Sequence, residues 1–137
     1  MPKNKKVFLG GTCNETTWRD EIIPYLEIQY FDPRVEDWTP DCMKEEIIQR
    51  NICDYVLYVI TPKMSGVYSI AEVVDDSNKQ PEKTVFCILK NDNDDNDNII
   101  SFDKGQYKSL EQVAKMVEEN GAKVCKNLKE VIDYLNR

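Results

Sequence analysis

The run Tyr55-Val56-Leu57-Tyr58-Val59-Ile60 decides the fold of this chain. Its six residues are β-branched, aromatic or aliphatic, and such a run predicts a strand buried on both faces, as in the middle of a parallel sheet. Shorter runs of the same kind lie on either side of it along the sequence. They predict four further strands, at Lys6–Gly10, Gln29–Asp32, Thr84–Leu89 and Ala122–Cys125.

Segments with apolar residues at helical spacing separate the predicted strands. Helices are predicted over Thr17–Glu27, Pro40–Asn51, Tyr68–Asn78, Leu110–Glu119 and Leu128–Leu135. The alternation predicts the α/β class, as a flavodoxin-like, doubly wound sandwich around a five-stranded parallel sheet of order 2-1-3-4-5. A length of 137 residues fits one such domain, residues 1–137. The run NDNDDNDN at Asn91–Asn98 is expected to be a solvated surface loop.

The composition excludes several classes of function. The net charge of -7 disfavours binding to a nucleic acid polymer, because phosphate contacts need clustered cations. The absence of histidine removes Ser/His/Asp and Cys/His nucleophilic sites and most catalytic zinc sites. The five cysteines are widely spaced and predict reduced thiols rather than disulfides or a metal cluster. Since no apolar run could span a bilayer, we expect a cytoplasmic protein without membrane contact.

The expected sheet predicts where a ligand would bind. In such sheets, ligands bind at the carboxyl ends of the strands where the strand order reverses, here between the first and third strands. Two loops meet at that point, one containing Gly10, Gly11 and Thr12 and the other running over residues 61–66. The glycines would let backbone amides approach an anionic or hydroxyl-rich group, and a plain tight turn is the alternative. Neither loop is a GxGxxG or Walker motif, which disfavours NAD-dependent redox chemistry and P-loop phosphoryl transfer.

Glu72 is the main candidate for chemistry. It lies near the start of the helix that follows the third strand, among the apolar residues Ile70, Ala71, Val73 and Val74. A carboxylate in such a stretch, at the predicted ligand site, is a candidate catalytic group. The alternative is that Glu72 only stabilises the positive end of the helix dipole.

Two tryptophans and one arginine lie close to the expected site. Trp18 is predicted to pack its helix against the sheet. Trp38 lies in a polar loop and is a candidate for lining the pocket, where it could stack on a nucleobase. Arg19 is expected to be a solvated helix residue, with a phosphate contact as the alternative.

These segments together resemble the nucleoside 2-deoxyribosyltransferase-like family, in its short, divergent branch. The resemblance covers roughly residues 6–90 and rests on the order and spacing of several motifs. The motifs are VFLGGT (Val7–Thr12), Thr17-Trp18-Arg19, Phe31-Asp32-Pro33, Glu45-Glu46, Cys53-Asp54 and YVITPKMSGVYSIAE (Tyr58–Glu72).

The resemblance implies cleavage or transfer at the N-glycosidic bond of a 2′-deoxynucleoside or its 5′-monophosphate. Glu72 corresponds to the nucleophile that forms a covalent glycosyl-enzyme, as in retaining glycosidases. Glu46, eight positions before Asp54, corresponds to the acidic residue that helps to protonate the leaving base. Ser65 and Gly66 correspond to the loop that holds the sugar hydroxyl or 5′-phosphate, and Asp54 is counted with the substrate-binding residues.

The resemblance also implies what the protein would bind. The expected partner is a nucleoside or nucleotide, and neither a cofactor nor a metal is expected. Active relatives complete their sites with a segment of a neighbouring subunit, so the resemblance implies a homo-oligomer. Relatives often carry a tyrosine where this chain has Phe8, and Tyr68 is the candidate for supplying that hydroxyl. The alternative function is a non-catalytic nucleotide-binding or signalling module of the same fold.

Overall fold

The computed structural model describes residues 3–13, 15–35 and 37–137, and it confirms the predicted α/β architecture. The strands of the described chain are β1 (Lys3–Gly11), β2 (Ile28–Phe31), β3 (Tyr55–Ile60), β4 (Thr84–Ile88), β5 (Asn91–Asn93), β6 (Ile99–Ser101) and β7 (Lys123–Cys125). The helices are α1 (Trp18–Ile22), α2 (Pro40–Ile52), α3 (Tyr68–Lys79), α4 (Lys104–Glu119) and α5 (Leu128–Asn136).

Five of the described strands form an all-parallel sheet in the order β2-β1-β3-β4-β7. Counted along the chain within this sheet, the order is 2-1-3-4-5, as predicted. The order reverses at β1, which lies between β2 and β3. The carboxyl ends of β1 and β3 therefore lie side by side, with Gly10 opposite Tyr58 and Gly11 opposite Val59.

The core consists of two layers, one on each face of the sheet. All six residues of β3 are buried, as its uninterrupted apolar run predicts. Leu57 and Val59 pack on one face with Trp18 of α1 and with α5, whereas Tyr58 packs on the other face with Val73 of α3 and with α4. The predicted burial of Trp18 is confirmed, since its exposed fraction is 1%.

The expectation of a solvated loop at Asn91–Asn98 is wrong for Asn91–Asn93, which form the first strand of an antiparallel hairpin of β5 and β6, whereas residues 94–98 are its largely exposed turn. Asn and Asp are poor strand formers, so their repetition concealed the pairing. In the turn, the Asp94 carboxylate accepts hydrogen bonds from the amides of Asn96 and Asn98, each at 2.9 Å. The Thr16 hydroxyl donates to Asp92 at 2.8 Å and fastens the hairpin to the loop before α1.

Two helices differ in length from the prediction. The first ends at Ile22 and continues as a 3-10 turn over Ile23–Tyr25, since Pro24 cannot supply the amide that an α-helix needs there. Helix α4 begins at Lys104, six residues earlier than predicted, because the Asp103 carboxylate caps it by accepting from the Gln106 amide at 2.7 Å. Within the described ranges, every helix is too short or too polar to cross a bilayer.

Candidate active site

A cavity of about 690 Å³ opens beside the carboxyl ends of β1 and β3, between α2 and α3. Both predicted catalytic carboxylates, Glu46 of α2 and Glu72 of α3, line it. Its wall also contains Trp38 and Tyr68, which the sequence had assigned to substrate binding. The point where the strand order reverses therefore carries a cavity with two acids and an aromatic wall.

Glu72 lies one turn into α3 and is largely buried, with 16% of its side chain exposed. Burial raises the pKa of this carboxyl from 4.5 to about 7. The Arg50 guanidinium opposes that rise in pKa, whereas the negative charges of Glu46 and Asp76 add to it. At neutral pH the carboxyl therefore exists in both protonation states, which is typical of a group that takes part in chemistry.

Arg50 of α2 connects Glu72 to a buried acid beneath the cavity. Its Nη1 lies 3.5 Å from Oε2 of Glu72. Its Nε and Nη2 donate to the two carboxylate oxygens of Asp76, at 3.2 and 3.1 Å. Asp76 also accepts the Tyr58 hydroxyl at 2.6 Å and the Gln80 side-chain amide at 3.0 Å. In this network one guanidinium lies between the carboxylates of Glu72 and Asp76, and the carboxylate of Asp75 lies 3.7 Å from its Nη2.

Sequence reasoning missed Arg50 and Asp76, although a spacing signal for both was available. Arg50 lies four residues after Glu46 and Asp76 four residues after Glu72, so each shares a helix face with a predicted catalytic acid. The pairing of the two helices was invisible in the sequence, because it depends on how α2 and α3 pack.

Glu46 lies on the wall of the cavity next to the indole of Trp38. The indole Nε1 donates to Oε2 of Glu46 at 3.2 Å. Trp38 is 56% exposed, and its ring adjoins the apolar side chains of Met43 and Ile47 on the cavity wall. A flat aromatic and aliphatic surface of this kind can accept the face of a nucleobase.

A second, smaller cavity of about 180 Å³ adjoins the first. Cys13, Tyr68 and Ser69 line both cavities. Ser65 and Gly66 line the smaller one, at the amino end of α3, so the structure brings both to the predicted site. The N-terminal end of a helix favours negatively charged or hydroxyl groups.

The expectation that Gly10, Gly11 and Thr12 offer backbone amides to a ligand is wrong for the Thr12 amide, although Gly11 and Thr12 both line the smaller cavity. The Thr12 amide donates to the Val59 carbonyl at 2.9 Å, and its buried hydroxyl accepts from the Thr61 amide at 3.0 Å. Gly10 and Gly11 are the last residues of β1. Gly11 has a φ of +116°, and a Cβ on it would collide with the Val59 backbone. The second glycine is therefore explained by the close approach of β1 to β3.

Arg19 is completely buried, so the expectation that it is solvated is wrong. Its Nε donates to the Leu9 carbonyl at 2.9 Å and its Nη1 to the Thr12 carbonyl at 2.8 Å. The Trp18 indole donates to the same Thr12 oxygen at 3.0 Å. The guanidinium also lies 3.8 Å from Asp32, which supplies a compensating charge. Arg19 thus supports the loop after β1 from the core side.

Of the residues considered in the sequence analysis, Asp54 lies away from the cavity, and Phe8 has no polar group. Asp54 lies just before β3, at the amino ends of the strands, whereas the cavity lies at their carboxyl ends. Its carboxylate accepts a hydrogen bond from the Lys6 amide at 2.8 Å. Asp54 therefore does not line either cavity and makes no contact with the proposed substrate. Phe8 is buried, with its ring stacked on Phe31 at a centroid distance of 5.8 Å. Tyr68 is 72% exposed at the rim of both cavities.

The family of this chain follows from a family model that matches its sequence. No curated protein matches the sequence. A family model described as nucleoside 2-deoxyribosyltransferase like matches residues 4–91, which include both cavity acids and the strands that place them. The matched part is 88 of 137 residues. The chain belongs to the nucleoside 2-deoxyribosyltransferase-like family.

Proposed function

We propose that this protein cleaves or transfers the N-glycosidic bond of a 2′-deoxynucleoside or its 5′-monophosphate, with Glu72 as the nucleophile. One observation carries the proposal. A largely buried carboxyl with a pKa of about 7 lines a cavity that also contains a second acid and an aromatic wall. The family membership favours this chemistry over other uses of two carboxylates.

The proposed reaction has two displacements at C1′ of the sugar. In the first, a Glu72 oxygen bonds to C1′ while the C1′–N bond breaks, and the base leaves with the bonding electrons and a proton from Glu46. In the second, water or a nitrogen of another base attacks C1′, the ester to Glu72 breaks, and Glu46 recovers the proton. Two inversions give net retention of configuration. The attacking group alone distinguishes a hydrolase from a transferase.

The two cavities suggest how the substrate would lie. The base would stack on Trp38 and contact the aliphatic wall of α2, within reach of Glu46. The sugar would then lie over Glu72, and its 5′ end would enter the smaller cavity lined by Ser65 and Gly66. The amino end of α3 at that position would favour a 5′-hydroxyl or a 5′-phosphate.

We also propose that the protein is a homo-oligomer, with α2 in the contact. Four apolar residues of this helix are between 44% and 63% exposed, namely Met43, Ile47, Ile48 and Ile52. Apolar surface of this extent next to a cavity is typical of a protein–protein contact. Sedimentation equilibrium of the wild type and of Ile48→Glu tests this proposal, and a monomeric wild type at micromolar concentration would contradict it.

The main test measures free-base release by chromatography. The substrates are the four deoxynucleosides, their 5′-monophosphates and NAD, each with and without an acceptor base. We expect release by the wild type and by Glu111→Ala, the same change at an exposed acid of α4, and none by Glu72→Ala. Absence of release by the wild type in every mixture would reject the proposal. Nucleotide binding that persists in Glu72→Ala would then favour a non-catalytic binding module.

A further inference from the structure

We propose that Arg50 is a positioning residue, which holds one oxygen of Glu72 and leaves the other to attack the substrate. The proposal rests on the glycosyl chemistry proposed for Glu72 and adds to it a residue outside the predicted catalytic pair. It is carried by the arrangement of Arg50 between one buried acid and one cavity acid.

The planar guanidinium of Arg50 is fixed before it reaches Glu72. One edge of the fork, Nε and Nη2, is occupied by both oxygens of Asp76. Because the fork is rigid, this bidentate contact determines where the remaining nitrogen, Nη1, points. The Gln80 side chain donates both to Asp76 and to the backbone carbonyl of Arg50, at 3.0 and 3.2 Å. The Tyr58 hydroxyl holds Asp76 from β3.

The contact between Arg50 and Glu72 is suited to orienting a nucleophile. Its length of 3.5 Å exceeds the roughly 2.7–2.9 Å of a strong charge-assisted hydrogen bond, so it is an ion pair that attracts one carboxylate oxygen and leaves the lone pairs available for attack. Among the described residues, this ion pair is the direct polar contact of the Glu72 carboxylate. When the carboxylate becomes a neutral ester, Arg50 still has Asp76 as its counter-ion, so no buried charge is left unpaired.

Several ionisable groups face Glu72 from the elements packed around it. The positive charge of Arg50 favours the ionised carboxyl, whereas the charges of Glu46 and Asp76 favour the protonated one. Removing Arg50 therefore raises the pKa of Glu72 and lowers the fraction that can attack at neutral pH. The other ionisable groups at the site are Asp75, whose carboxylate lies 3.7 Å from Nη2 of Arg50, Tyr58 beneath the cavity, and Cys13, Arg34 and Tyr68 on its wall.

The test combines a titration with kinetics. Carbon-13 NMR of the Glu72 side-chain carboxyl, assigned with Glu72→Gln, measures its pKa without turnover. In Arg50→Gln we expect this pKa to move from about 7 to about 8, which lowers the ionised fraction at neutral pH about fivefold. The acidic limb of the pH–rate profile for base release should move by the same amount. Arg137→Gln, which removes a charge at the C-terminus, should leave both unchanged.

A second variant separates position from charge. Arg50→Lys keeps the positive charge but cannot bind Asp76 bidentately and also reach Glu72. We expect its Glu72 pKa to stay close to that of the wild type while kcat falls at least tenfold. Should Arg50→Gln fail to fold because Asp76 loses its counter-ion, Arg50→Gln combined with Asp76→Asn is titrated instead. Its reference is Asp76→Asn alone, because the loss of Asp76 by itself lowers the Glu72 pKa.

The outcomes separate this proposal from the proposed function. An unchanged Glu72 pKa in the folded Arg50→Gln variant would overturn the role of Arg50, as would equal pKa values in the double variant and in Asp76→Asn, or a wild-type kcat in Arg50→Lys. Failure of the wild type to release any base would instead reject the glycosyl chemistry. The titration would still show whether Arg50 controls the Glu72 carboxyl.

Discussion

Replacing Glu72 by glutamine should stabilise the protein at neutral and alkaline pH while abolishing base release. The Glu72 carboxyl binds its proton more tightly in the folded chain, where its pKa is about 7, than in the unfolded chain, where it is 4.5. The free energy of unfolding of the wild type therefore falls as the pH rises from 4.5 through 7. A glutamine at this position does not titrate, so the variant avoids that loss.

The size of this effect follows from the two pKa values. A difference from 4.5 to about 7, at about 1.36 kcal/mol for each pKa unit, has a maximum of about 3.4 kcal/mol. About 0.8 kcal/mol of it is lost by pH 5, which is only half a unit above the pKa of the unfolded carboxyl, whereas nearly all of it, about 3.4 kcal/mol, is lost by pH 8. The advantage of the variant should therefore grow by about 2.5 kcal/mol between those two conditions.

Urea unfolding measured by tryptophan fluorescence tests this prediction, since Trp18 is buried in the fold. The wild type, Glu72→Gln and the exposed control Glu111→Gln are compared near pH 5 and near pH 8. We expect the control to follow the wild type at both values. An equal stability difference between Glu72→Gln and the wild type at the two pH values would refute the reasoning, because it would show that Glu72 has an ordinary pKa.

Three further substitutions test the structure around the site. Gly11→Ala should lower the free energy of unfolding by about 3 kcal/mol or more, because the new Cβ would collide with the backbone of β3 and the φ of this residue is positive. Gly66→Ala should lower it by less than about 1 kcal/mol, because the space around Gly66 is open. Equal costs in urea unfolding would contradict this. Arg19→Met should lower the free energy of unfolding by about 3 kcal/mol, because the Leu9 and Thr12 carbonyl oxygens each lose a charged donor, although Thr12 keeps the Trp18 indole. An unchanged free energy of unfolding would mean that these two hydrogen bonds do not stabilise the fold. Trp38→Ala should raise KM for base release about tenfold through lost stacking, and an unchanged KM would place the base elsewhere.

The order of the secondary-structure elements and the approximate position of the site could be predicted from the sequence. Burial of β3 on both faces was readable from its six apolar residues, because side-chain hydrophobicity and β-branching act locally. The alternation of strands and helices then predicted a doubly wound parallel sheet. Because Glu72 follows the third strand, this topology placed it near the carboxyl ends of the strands, where ligands bind. Glu46 could be paired with Glu72 only through the family resemblance.

Which polar groups contact each other depends on the tertiary structure and could not be predicted from the sequence. Arg50 contacts Asp76 across 26 positions of sequence, and no local pattern encodes the packing of α2 on α3 that joins them. The same limit explains Arg19, whose acceptors in β1 and in the loop after it come within reach only when α1 packs against the sheet. Asp54 shows the opposite case. The motif around it resembles the family in sequence, but the tertiary structure places it at the amino end of β3, away from the cavity.

The protonation of Glu72 is likewise a tertiary property. Its apolar neighbours in the sequence suggested burial, but the pKa of about 7 results from desolvation together with charges from α2 and from the next turn of α3. Electrostatic interactions depend on distances and on solvent exposure in three dimensions, and a sequence specifies neither directly. The chain's pattern of apolar residues thus determined the scaffold, whereas the close approach of Glu46, Arg50 and Asp76 determined what Glu72 can do.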